Sequence, residues 1–152
     1  MANTQAMCSS FLGELMTATH NFTTSTGNTF KAALYLASAT VNASTTAYST
    51  TGEVTGTNYT AGGVTVTNGT SPLSTNTSTT AGTGYWTPSA SITYTNVTLG
   101  TAFDAVLIYN STSSNKAVSV HTFGSQTVTA GTFTLTMPSN TTSTALLRLA
   151  TT

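Results

Sequence analysis

The chain has 152 residues, with three basic side chains, three acidic side chains, two histidines and one cysteine. Charged residues make up 4% of it, against about a quarter in an ordinary soluble domain. Lys31, Lys116 and Arg148 therefore cannot form the phosphate-neutralising patch of a nucleic-acid binder or hold an anionic membrane surface, and the lone Cys8 excludes an intrachain disulfide framework.

Threonine stands where charge would be. There are 40 Thr and 18 Ser, so hydroxyl residues exceed a third of the chain. Thr is stiff at χ1 and suits strands, and its hydroxyl keeps an outer face wet without charge. The length suits one domain with a real core. MANTQAMCSSFLGELM lacks the basic start and apolar run of a secretory signal, and no apolar run approaches the length of a transmembrane helix. A cytoplasmic product is expected. The eight N-x-[ST] sequons, from Asn21 to Asn140, follow from the Ser and Thr content.

Residues 5–19, QAMCSSFLGELMTAT, form the one predicted helix. Met7, Phe11 and Leu15 recur every four residues, Leu12 and Met16 widen the stripe, and Thr4 is placed to cap the start. Residues 1–29 are thus expected as a helix or arm that packs on the core or docks on a neighbouring subunit. A single β-domain over 30–152 follows. FKAALYL (30–36) alternates Phe30, Ala32, Leu34 and Leu36 against Lys31, Ala33 and Tyr35. GGVTVT (62–67) turns Val64 and Val66 inward after a glycine turn. Residues 68–84 are low-complexity Ser, Thr, Gly and Asn, which predicts a long polar loop tipped by Tyr85 and Trp86.

ASITYT (90–95) directs Ile92 and Tyr94 inward. AFDAVLIYN (102–110) is apolar on both faces and reads as a central strand. AVSVHTF (117–123), TFTLTMP (132–138) and ALLRLA (145–150) complete the set, with turns at 110–116, 130–131 and 138–143. Short strands at this spacing predict a mainly β fold, an antiparallel β-sandwich of jelly-roll or Ig-like type with a short N-terminal helix.

Chemistry is sparse. Asp104 and His121 fall on strands expected to form a hairpin, so a Ser–His–Asp arrangement is conceivable, but Ser is too abundant to give that signal weight and no GxSxG elbow is present. One Cys and two His without zinc spacing offer no metal site, and Gly62-Gly63 lacks the context of a phosphate cradle. No catalytic residue, cofactor or metal is expected. The candidate interface residues are Phe11, Leu15, Tyr35, Tyr59, Tyr85 and Trp86, large apolar or aromatic side chains that serve either as core or as contact anchors.

Taken in order, FKAALYLASATVNASTTAYSTTGEVTGTNYTAGGVTVT, AFDAVLIYN, AVSVHTFGSQTVTAGTFTLTMP and ALLRLA resemble a family of small virion proteins of tailed bacteriophages, as does the opening MANTQAMCSSFLGEL. EV(x)GTxYTAGGVT is the most distinctive part. The resemblance implies a non-enzymatic structural role. The favoured form is a capsid decoration or cement protein made in the host cytoplasm and carried on the capsid surface, with the major capsid protein and itself, as a homotrimer, for partners. The alternative is a tail, neck or fibre component that binds host-surface glycans through the loop ending at Tyr85 and Trp86.

Overall fold

Eight strands and one helix make up the computed structural model, which describes residues 2–75 and 82–151. They run β1 (Ala6–Met7), α1 (Ser9–Met16), β2 (Phe30–Leu36), β3 (Val64–Thr65), β4 (Leu73–Ser74), β5 (Thr83–Trp86), β6 (Ile92–Asn110), β7 (Lys116–Leu135) and β8 (Leu147–Ala150). One sheet has the order β1-β7-β6-β2-β3 and the other β4-β5-β8, and every pairing is antiparallel. The chain is mainly β with one short helix, as its composition predicts. Two sheets are consistent with the expected sandwich.

β6 and β7 form a long hairpin that turns at 111–115. Sequence had divided each arm into two strands with a turn at Ala130-Gly131. Both arms instead run through. Asn96 (φ 52°) and Ala130 (φ 46°) adopt left-handed backbone where the register shifts, and Thr98 Oγ1 accepts from the Ala130 N–H at 3.0 Å. The turn-like Ala-Gly text thus encodes a bulge, which absorbs an extra residue and twists the ribbon without reversing it.

β2 lies between β6 and β3, so it is covered on both sides. Ala32, Ala33, Leu34 and Tyr35 are all buried, and the expected inside–outside alternation is absent. β3 is shorter than expected because Gly62 (φ 89°) and Gly63 (φ 69°) form a left-handed turn. A Cβ on Gly63 would stand 1.7 Å from the Ala32 carbonyl oxygen, so only glycine lets these backbones meet.

The helix is shorter than the predicted 5–19. Ala6 and Met7 pair with Val120 and Ser119 of β7, and the extended Cys8 starts the helix, its N–H bonded to Val118 O at 2.9 Å. Thr4 is not the cap; its N–H donates to Val41 O. Phe11 is buried and Leu15 partly so, whereas Leu12 and Met16 point outward, Met16 at 85% exposure. The first 29 residues are no separate arm: β1 belongs to the main sheet, and Cys8, Phe11 and Phe22 belong to the common core. The expected loop 68–84 contains β4 and the start of β5, and its residues 76–81 lie outside the described ones.

An aromatic seam joins helix, main sheet and small sheet. Phe22 stacks on Phe30 of β2 at 4.2 Å and 9°, meets Trp86 of β5 at 4.8 Å and receives Phe11 of α1 edge-on at 6.0 Å. Phe22→Ala should remove about 3–5 kcal/mol of stability, read as a lower urea midpoint, while Phe22→Leu should retain most of it.

Candidate functional site

Five of the six charged side chains bond within the molecule. Glu53, the one acid in a long uncharged stretch, is buried. Its carboxylate accepts from Tyr48 Oη at 2.6 Å, Tyr59 Oη at 2.8 Å and the Gly62 N–H at 2.7 Å. Tyr59 Oη also accepts from Leu34 N–H, Tyr109 Oη donates to Gly62 O, and Tyr94 Oη donates to Ala32 O. Burial, and then the Glu53 charge beside them, push Tyr35 and Tyr109 up to about 12. Burial also raises Tyr48, Tyr59 and Tyr94, with further contributions from Glu53.

A second network lies beneath α1. Lys116 Nζ and His20 Nε2 meet the two Glu14 oxygens at 2.6 and 2.7 Å. Asn110 Nδ2 donates to His20 Nδ1 and to Asn28 Oδ1, so Nε2 carries the ring proton given to Glu14. Partial burial raises the Glu14 carboxyl, but the hydrogen bonds and charges of Lys116 and His20 outweigh it and hold it below its ordinary value. Burial pushes the nearby Cys8 thiol up to about 11, and the Glu14 charge adds to the shift.

The expected Asp104–His121 approach is not made. The Asp104 carboxylate accepts from Asn3 Nδ2 at 2.6 Å, and the same amide group bonds Leu36 O. His121 Nε2 is instead 2.9 Å from Ser119 Oγ. The two line a cleft of about 480 Å³ that also holds Arg148, whose guanidinium donates to Ser143 O. Among the described residues no carboxylate orients the imidazole, so the serine–histidine pair lacks the third group of a triad. Burial lowers His121 to about 4, which makes it a weak base at neutral pH. Among the described residues no three His, Cys, Asp or Glu side chains cluster as a metal site, and no helix is long and apolar enough to cross a membrane.

The six candidate interface residues fall into two groups. Tyr35 and Tyr59 belong to the hydroxyl network around Glu53: Tyr35 Oη donates to Ser49 O, and Tyr59 Oη is tied to Glu53. Phe11, Leu15, Tyr85 and Trp86 converge on one apolar pocket between α1 and the small sheet. Phe11, Tyr35 and Trp86 are each 2% exposed or less. They are anchors of this chain's own core and not exposed contact side chains, because the aromatic seam and the β2 layer enclose them. Sequence reading missed Glu53. The available signal was a lone acid in uncharged text, flanked by Tyr48 and Tyr59.

No family model, curated protein or solved structure matches the chain.

Glu53→Gln replaces one acceptor oxygen by an amide that cannot accept from Tyr48, Tyr59 or Gly62. The loss should be about 1–3 kcal/mol for each donor left unpaired, visible as a lower denaturant midpoint, while Glu53→Asp should fail to restore the full set. On the acid side, His121 refuses a proton that the unfolded chain takes up at its ordinary value of 6.5. Its stabilising contribution is complete above that value and is lost as pH falls through about 4. Glu14, held below 4.5, adds a loss only at lower pH. Urea midpoints between pH 7 and 4 should fall in the wild type and fall less steeply in His121→Gln.

Proposed function

We propose that the protein is a non-enzymatic structural component of a tailed-phage virion, a decoration protein that binds the major capsid protein shell as a homotrimer and stabilises it. The observation that carries this reading is the internal use of its charge. Glu14, Glu53 and Asp104 are each bonded to groups of the same chain, and Lys116 is paired with Glu14. The outward positions of the β6–β7 hairpin are mostly Thr, Ser, Gly and Gln. A surface so poor in ions gives little electrostatic barrier to packing against copies of itself or against a shell. The ordered resemblance to small virion proteins supports the same reading.

The alternative, a tail, neck or fibre part that binds glycans, draws less support. Trp86 is enclosed, and its indole N–H is spent on Asn68 Oδ1 and Thr70 O, so it offers no exposed stacking platform. Tyr85 remains partly exposed. The deciding experiment is removal of the protein from particles. Depleted heads should assemble and package normally, yet burst at a lower temperature or in low salt, and recover when purified protein is added back. Depleted heads as robust as complete ones would refute the cement role.

A further inference from the structure

We propose that the pocket between α1 and the small sheet is a binding site for a single uncharged aromatic ring. Its volume is about 140 Å³, close to that of apolar cavities of about 150 Å³ that hold benzene. Phe11, Phe22, Trp86, Leu147 and Leu149 supply its walls. No charged side chain lines it, so an anion or cation entering it would lose its hydration without compensation.

The floor is Gly84. In β5 this residue shares a face with Trp86, and in β8 its cross-strand partner is Leu149, while Trp86 pairs with Leu147. Three of these four positions carry large apolar side chains and the fourth carries none. A Cβ built on Gly84 would meet only the Leu149 carbonyl oxygen, at 3.9 Å. The space above it is therefore open, although glycine in a strand interior weakens the strand. The walls are fixed beforehand. Two hydrogen bonds to the indole N–H hold Trp86, and Asn68, one of their acceptors, donates in turn to Phe22 O. Phe22 is locked by its stack on Phe30. A pocket with rigid aromatic walls and no polar demand costs little ordering when it is filled, and such walls favour a ring through edge-to-face and offset contacts.

This inference stands apart from the cement role, because the ring could belong to a free small molecule or to an aromatic side chain of another polypeptide. The test is amide NMR of the full chain titrated with toluene, with N-acetylphenylalaninamide and with benzoate. Toluene should produce saturable shifts at Gly84, Leu147, Leu149 and the Trp86 indole N–H. If the amide produces the same shifts, the site takes a polypeptide's ring; if toluene alone does, it takes a free molecule. Benzoate should leave the signals in place. Gly84→Val should abolish the toluene shifts. Leu149→Phe, which narrows the pocket from a 43% exposed position, should abolish them without disturbing the buried core. No saturable shift with either neutral probe, shifts centred elsewhere in the molecule, an equal response to benzoate, or undiminished binding by folded variants would overturn the proposal.

Discussion

The Glu53 carboxylate fixes the middle of the molecule. Between β2 and β3 lie 27 residues that contain no regular strand or helix, and this carboxylate draws them together. It binds Tyr48 from one side, and Tyr59 and the Gly62 N–H from the other. Through Tyr59 it reaches the backbone of β2, and through Gly62 it reaches Tyr109 of β6. A buried anion without a cation is costly unless hydrogen bonds replace its water, and here three short ones do. The tyrosines gain from the same arrangement. Tyr48 stacks on Tyr109 at 4.7 Å, and Tyr59 on Tyr94 at 5.9 Å, so ring packing and hydroxyl bonding reinforce each other.

The aromatic seam does for the two sheets what Glu53 does for the long connection. The small sheet is three short strands, too little to stand alone. It is held by Trp86 against Phe22 and Phe30, and by Asn68 bonding both Trp86 and the Phe22 backbone. The residues between β3 and β4 are therefore ordered by side-chain-to-backbone bonds, although their composition is that of a loop. The pocket at Gly84 is the one place along this seam where a side chain is missing from an otherwise filled row.

Most of the strands were legible from alternation and β-branching, because those signals are local. Phe30–Leu36 matches its predicted bounds, and Ile92, Tyr94, Val118 and Val120 face inward as the pattern requires. Features that depend on distant partners were not legible. Gln5–Met7 has helical spacing, but Ala6 and Met7 are captured by a strand more than 110 residues away. The Ala130-Gly131 pair carries turn chemistry, yet whether a turn reverses the chain or bulges depends on β6 opposite. The candidate residues were recognised as aromatic anchors, but sequence alone does not separate a core anchor from a surface one, since burial pays both through the same contacts. Asp104 and His121 do lie on paired strands; Asn3 and Ser119 take up their hydrogen bonds.

The pairing of β1 with β7 has a consequence for the order of events during synthesis. The ribosome delivers Ala6 and Met7 first, but their partners Val120 and Ser119 come near the end. At about 5–20 residues per second, the N-terminal segment waits several seconds or more for its place in the sheet. β2 waits likewise for β6. The β6–β7 hairpin is the largest unit whose two halves emerge consecutively, so it is the natural template on which the earlier residues settle. Contacts this distant along the chain make for slow folding, and a nascent chain with almost no charge has little self-repulsion to keep it apart from its neighbours in the meantime.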